Sequence, residues 1–317
     1  VCRSFVSNQE HQLTPFGADS HSLYQPYATS LRMGDLGYQS DAQSSLTVCY
    51  NDLPQYTKTL RKALEKPYSD YQEIGLKDSE GNHKQLNTHL LQIENEFYSS
   101  IRPKRTAANG ETPLRALAER GVEYVEVRCV DLNPLLPCGI DVQTMCFLDT
   151  FLLFCLLKDS PKTDNAEYAL IPQNIDRTVY RGRDPELKLL VGDSEVSLRE
   201  WGQSLFNEMR PVAELLDSAN KTKAYSQVFN TMEFKLTDDS TTPAAMLLEE
   251  MRANNETYYA MAMRKAAEHR DYFQASPPGV ETTAKYKELS EVSLQHQAEI
   301  EASDTLSFDD FLADYYR

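Results

Sequence analysis

The chain has 317 residues, 41% of them apolar and 25% charged, with only 12 Gly and 15 Pro. Those proportions suit a soluble globular protein of one or two domains and leave little room for long disordered tracts. A formal net charge of −16 repels nucleic-acid phosphates and anionic membrane surfaces, so neither is expected as a partner. The same acidity is ordinarily a solubility device, which makes any local gathering of cations more informative.

Six cysteines are present: Cys2, Cys49, Cys129, Cys138, Cys146 and Cys155. None forms a C-x-x-C pair, and no histidine pair stands at zinc spacing. Cys49, Cys129, Cys146 and Cys155 lie in apolar runs and read as small buried hydrophobes. Redox pairing of Cys129 with Cys138 is the less favoured alternative. Such usage points to a reducing, cytoplasmic setting. No signal peptide opens the chain. The most apolar run, Met145 to Leu157, falls short of the ~20 residues of a membrane span and reads as a buried helix. The sequence starts at Val1 in mid-pattern, and we expect a fragment of a longer protein.

In chain order, Ser45 to Tyr50 reads as a short strand. Asn51 and Asp52 then cap a helix that runs to about Lys66 and stops at Pro67. Asp78 to Asn82 holds a turn with Gly81. Leu86 to Tyr98 and Val122 to Val130 alternate as half-buried strands do. From Asp141 the pattern is mostly helical. A hairpin is expected near Leu187 to Val196, turning at Gly192-Asp193. Ser197-x-x-Glu200 is a capping box that opens a helix carrying the single Trp, Trp201. Thr242-Pro243 is an N-cap and N1 pair. Further helices are expected near 256–273, 283–301 and 307–316, with a linker over Ala275 to Gly279. The fold class is therefore α+β: a strand-rich part over 1–141 and a mainly helical part over 142–317.

Three segments carry chemistry. In the strand over 121–130, side chains alternate faces, so Glu126 and Arg128 share one side. They are either a structural ion pair on a solvated face or a carboxylate for a divalent metal beside a guanidinium for phosphate oxygens. In 91–98, Gln92, Glu94, Glu96 and Tyr98 are expected on one face, making Glu94 or Glu96 possible neighbours of Glu126. Arg102, Lys104 and Arg105 follow, with Pro103 stiffening the backbone. They form either a solvated loop or an electrostatic seat for phosphate or carboxylate. The stretch from Leu23 to Tyr38 is loop-like, with aromatics, hydroxyls and Arg32, a composition common in binding loops. The six histidines are scattered and none is given a role.

Together these segments resemble the glutamate–cysteine ligase family of the proteobacterial type. The words that carry the resemblance are Pro26-Tyr-Ala-Thr-Ser-Leu-Arg32, Asp35-Leu-Gly-Tyr38, Leu91-Gln-Ile-Glu-Asn-Glu96, Ile101-Arg-Pro-Lys-Arg105 and Val122-Glu-Tyr-Val-Glu-Val-Arg128, continued by Asp131-Leu-Asn-Pro134. The likeness is strong to about Asp141 and more diffuse through the helices. It implies an antiparallel cupped sheet of the glutamine synthetase superfamily type. It also implies ATP-dependent joining of L-glutamate to L-cysteine, with Mg2+ as cofactor, in a protein monomeric when complete. By the same resemblance, Glu126 would bind catalytic magnesium and Arg128 would face the ATP phosphates. Arg32 would hold a substrate carboxylate, and Tyr38 and Tyr98 would line the cysteine side. The family carries an N-terminal part with a G-x-E-R-E-type strand that is absent here, so only part of the metal site is expected. The runners-up are another ATP-dependent carboxylate–amine ligase of that superfamily and a non-catalytic fragment.

Overall fold

A computed structural model describes residues 1–6, 13–17, 21–37, 40–108 and 110–316. The elements, in chain order, are β1 (Thr14–Phe16), β2 (Ser22–Tyr24), α1 (Leu53–Glu65), α2 (Ser69–Ile74), β3 (Ile101–Lys104), α3 (Pro113–Arg120), β4 (Tyr124–Val127), α4 (Val142–Leu157), α5 (Asn165–Arg181), β5 (Lys188–Val191), β6 (Ser194–Ser197), α6 (Leu198–Asn220), α7 (Ala224–Thr237), α8 (Pro243–Ala253), α9 (Tyr258–Ala275), α10 (Val280–Ser303) and α11 (Phe308–Tyr315). Among the described residues the strands form three antiparallel pairs: β1 with β2, β3 with β4, and β5 with β6. The class is α+β, as the patterning indicates. The chain forms two compact units, 1–39 with 129–270, and 40–128 with 271–317. These bounds do not coincide with a sequential split at residue 141.

The first unit is built on α4, α6 and α7. Asp141 caps α4 by accepting from the Thr144 amide at 2.7 Å. Cys146, Thr150 and Phe154 then recur every four residues as its buried stripe. Phe154 packs with Phe206, Met209, Val212 and Ala213 of α6 and with Phe229 of α7. Phe206 meets Phe229 edge to face at 5.4 Å. The expected capping box at Ser197 and Glu200 opens α6. Asp217, buried near the end of α6, accepts from the amides of Tyr225 and Ser226 at 3.0 and 3.1 Å and so caps α7. The β5–β6 hairpin turns at Gly192, whose φ of 56° lies in the left-handed region. Asn174 of α5 pairs with Leu190 in both directions, at 2.9 and 2.8 Å.

Two expectations about buried residues do not hold. The helix over 145–157 forms, but only one stripe is covered: Val142 is 67% and Leu156 80% exposed. No helix among the described residues is long and apolar enough to cross a membrane. Of the four cysteines read as buried, only Cys146 is. Cys49 is half-buried, and Cys129 and Cys155 are exposed. Cys155 follows Phe154 by one position, which turns it about 100° away from the packed stripe.

The second unit packs Tyr56, Leu60 and Ala63 of α1 against Leu90, Leu91, Phe97, Leu114 and Leu117. Asp52 caps α1 through the Gln55 amide at 2.8 Å. Thr112 caps α3, Pro113 opens it, and Gly121 ends it with a φ of 73°. The strands expected over Ser45–Tyr50 and Leu86–Tyr98 do not form. Asp41–Ser45 and Glu94–Glu96 are short 3-10 helices. The cause over 86–98 is competition from side chains. Gln92 accepts from the Leu86 amide at 2.9 Å, Asn87 from the His89 amide at 2.8 Å, and Glu96 from the Gln92 amide at 2.6 Å. Amides satisfied this way have no need of a ladder partner.

The C-terminal helix docks on this stretch. Leu312 is buried, and Asp309 bonds Lys77 at 2.9 Å and His83 at 2.6 Å. Tyr316 accepts from Asn87 and donates to the Gln92 carbonyl, both at 2.8 Å. The His83 and Lys77 contacts hold the Asp309 carboxyl below its ordinary value. A carboxylate depressed by folding stabilises fully above its unfolded pKa, and that contribution is lost as pH falls through the folded one. Amide exchange across α11, corrected for intrinsic rates, should therefore accelerate as the solution is acidified into that range. Asp309→Asn should flatten this dependence. An α11 whose protection stays the same at acid and neutral pH would count against the contact.

Candidate functional site

The ribbon β3–β4 holds most of the candidate residues. Its β-branched residues Ile101, Val125 and Val127 favour extended chain. Pro103, which lacks an N–H, is tolerated because the ribbon has open edges among the described residues. The register sets Arg102 opposite Glu126 and Lys104 opposite Tyr124. The Arg128 amide continues the pairing by donating to the Ser100 carbonyl at 2.8 Å.

Strand parity then fixes the side chains. Glu126 lies between two cations. One carboxylate oxygen is 3.1 Å from Arg128 Nε and the other 3.4 Å from Lys104 Nζ. The carboxylate is 36% exposed, against 21% for Arg128 and 25% for Lys104. Partly exposed pairs of this kind contribute little to stability. Two cations converge on one carboxylate here, in a strongly acidic chain. Such a seat attracts phosphate or carboxylate oxygens.

Other members of the basic cluster are turned elsewhere. Arg102 is 5% exposed. It donates to the Asn95 carbonyl at 3.1 Å, with its guanidinium carbon 5.9 Å from the centre of the Phe97 ring. Arg105 pairs with Glu123 at 3.7 Å and donates to the Arg120 carbonyl. Glu123 also accepts from the Thr106 amide at 2.9 Å. Arg120 in turn bonds Glu111 at 2.7 Å and, with the Ala108 amide, pushes the Glu111 carboxyl down to about 2. The structure thus joins Lys104 to Glu126 and Arg128 and leaves Arg105 in a separate network.

Gln92, Glu94, Glu96 and Tyr98 do not form the common strand face expected of them, since a 3-10 turn intervenes. Glu94 accepts from the Leu114 amide at 2.6 Å and so caps α3. Burial raises its carboxyl above the ordinary value. Tyr98 is 39% exposed, and its amide donates to Gln43 Oε1 at 2.9 Å. Gln43 also donates to the Glu96 carbonyl at 2.7 Å, so one side chain fixes the backbone leading to Tyr98. Sequence reading missed Gln43, because nothing near it announces a partner more than fifty residues away.

Arg32 belongs to the first unit, half-buried in a turn of the 26–37 loop. Tyr38 lies outside the described residues. An open cleft of about 660 Å³ in this unit, with Pro26, Arg183, Met246, Glu249 and Arg252 among its lining, contains none of the candidate residues. Among the described residues no group of three or more His, Cys, Asp or Glu is arranged to hold a metal. Magnesium commonly uses one or two protein carboxylates and takes its other ligands from phosphate and water. Glu126 fits one such share.

The fold is that of known ligases. A crystal structure of glutamate–cysteine ligase from Francisella tularensis in complex with AMP matches 99% of this chain and 61% of its own, with TM-score 0.90 and 36% identity. A bifunctional glutathione synthetase from Pasteurella multocida matches 77% of this chain with TM-score 0.57 at 20% identity, a likeness of fold alone. In sequence, the glutamate-cysteine ligase family model matches residues 1–178. The glutamate–cysteine ligase of Saccharophagus degradans is 45% identical over 100% of this chain, and that of Pseudomonas fluorescens 45% over 98%. The chain belongs to the glutamate–cysteine ligase family. It spans about three-fifths of the length of these relatives, 60% and 58% respectively.

Glu94 thus caps the α3 backbone rather than holding a share of the metal. A carboxyl whose pKa is raised on folding adds stability below its unfolded value and loses it as pH rises through the folded one. Glu94→Gln keeps an acceptor for the Leu114 amide and has no ionisation to lose. Denaturant unfolding should show the variant gaining on the parent as pH rises through the carboxylate range, with unchanged magnesium affinity. A fall in magnesium affinity would return Glu94 to the metal.

Proposed function

We propose that this chain forms the phosphoryl- and amino-acid-handling part of an ATP-dependent glutamate–cysteine ligase. The observation that carries the reading is Glu126 held between Arg128 and Lys104 on paired strands, inside the segment that matches the family. The short β3–β4 ribbon would be one part of a larger cupped antiparallel sheet, completed by chain that the relatives possess.

The reaction has two balanced steps. An oxygen of the glutamate γ-carboxylate attacks the γ-phosphorus of ATP, and the bond to the β-γ bridging oxygen breaks. The products are γ-glutamyl phosphate and ADP. The cysteine amine then adds to the acyl carbon and expels inorganic phosphate, leaving an amide and releasing a proton. A carboxylate resists attack by an amine until one of its oxygens becomes a leaving group, which is why ATP is consumed. In this reading Arg128 and Lys104 turn from Glu126 to the oxygens of the transferring phosphoryl group and offset charge that builds there. Magnesium, when bound, would draw on Glu126 and supply further charge neutralisation. Arg32 takes a substrate carboxylate, and Tyr38 and Tyr98 line the cysteine side. Arg102 supports the ribbon from beneath, and Arg105 holds the turn beyond it. The setting is cytoplasmic and the complete protein a monomer.

Phosphate release that depends on glutamate and on cysteine, and not on other amines, separates this reading from a sister ligase. In the complete enzyme, Arg128→Lys should cut turnover by about a hundredfold, the scale for losing one group that stabilises developing charge. The melting temperature should move by only about 2 °C, since a partly exposed pair adds little. Lysine keeps the charge but loses the planar fork. Near-normal turnover would remove Arg128 from the phosphate role.

The chain alone should release negligible phosphate with glutamate, cysteine, ATP and magnesium. Activity should return when the additional chain of the relatives is supplied. Misplacement of reacting groups by about 1 Å can cost roughly a hundredfold in rate. Full activity from the 317 residues alone would mean that the metal site is complete within them.

A further inference from the structure

The loop over 26–37 has no ladder of its own, yet side chains of its own unit bond nearly every turn of it. Arg183 donates to the Ala28 carbonyl at 3.1 Å and to the Pro26 carbonyl. The Thr29 amide donates to the Val179 carbonyl at 2.8 Å, and its hydroxyl to the Thr178 carbonyl at 2.7 Å. Tyr180 accepts from the Asp35 amide at 2.8 Å. Gly37 closes the turn so tightly that a Cβ there would stand 2.2 Å from the Arg32 carbonyl oxygen.

The centre of this arrangement is Asp131. One of its oxygens accepts from the Ser30 hydroxyl, and the other from the amides of Leu31 and Arg32 at 2.8 and 3.1 Å. The Ser30 oxygen accepts in turn from the Met33 amide at 3.0 Å. Two consecutive amides converging on one point make an anion-binding concavity. Here that concavity is filled by a carboxylate of the chain itself. The amides at 31 and 32 are thereby taken up by the chain's own carboxylate. Bonds from amides to a charged acceptor are about twice as strong as neutral ones, so the turn is held firmly.

We propose that Asp131 is a positioning residue: by accepting the Ser30 hydroxyl and the Leu31 and Arg32 amides, it fixes the turn from which Arg32 reaches the carboxylate of the amino-acid substrate. The proposal rests on the reading of Arg32 as the carboxylate-binding residue. It predicts a signature in affinity rather than in chemistry, because the turn sets where the substrate is held and leaves the phosphoryl-transfer groups untouched.

The test compares Asp131→Ala, Asp131→Asn and Arg32→Ala in the complete enzyme. Steady-state constants are measured for glutamate and for ATP, and amide exchange over residues 31–33. Asp131→Ala should speed exchange of these amides at least about tenfold and raise the glutamate KM about tenfold, with kcat and the ATP KM little changed. Asp131→Asn, which keeps one acceptor oxygen, should give a smaller change in the same direction, and it carries the test if the alanine variant does not fold. Arg32→Ala should raise the glutamate KM without opening the amides. If the Arg32 variant raises the KM while both Asp131 variants leave it at the parent value, the positioning role is overturned and the Arg32 reading stands. If Arg32→Ala leaves the KM unchanged, the Arg32 reading fails, and the positioning role falls with it.

Discussion

The constraint on which the structure depends is the need to satisfy backbone amides where regular structure does not. Buried N–H groups left unpaired cost as much as lost hydrogen bonds. Over 86–98 and 26–37 this chain meets the demand with side chains. Gln43, Asn87, Gln92, Glu96 and Asp131 each hold backbone groups that a wider sheet would have paired. Within the helical core, Asp217 does the same between α6 and α7. Several of these side chains are acidic, so part of the negative charge is internal scaffolding rather than a solvating coat.

Against that background Glu126 on the β3–β4 ribbon is an exception, because its carboxylate faces cations instead of backbone amides. Glu126 is matched to Arg128 and Lys104 rather than to amides. An ion pair of this exposure is a weak structural device and a good reservoir of groups for a charged ligand, since exchanging one anion for another costs little. The neighbouring Arg105–Glu123 and Arg120–Glu111 contacts draw the remaining cations into fixed roles.

Much of this was legible in the sequence wherever the deciding signal is local. Asp52, the Ser197–Glu200 box and the Thr242-Pro243 pair announce helices whose caps lie within three residues. Period-two alternation placed Glu126 and Arg128 on one side. The same parity, drawn through 101–105, separates Lys104 from Arg105, a distinction lost when the cations are counted together. What stayed hidden was non-local. Alternating residues over 86–98 look like a strand until the side chains take the amides. Asp131 meets Arg32 across 99 positions, and no pattern in either segment points to the other. The half-buried face of α4 escaped for a related reason: an apolar run tells that a helix wants cover, not how much of it is covered.

The interleaving of the two units bears on how the protein is made. Each unit closes between an early and a late stretch of chain. Thr29 waits for Thr178, 149 residues on, and Lys77 for Asp309, 232 residues on. At ~5–20 residues per second such separations mean a delay of roughly ten seconds or more on the ribosome. Contacts this distant also slow folding, because loop closure precedes any return from the contact. The second unit therefore stays open at the 77–92 stretch until α11 has left the exit tunnel.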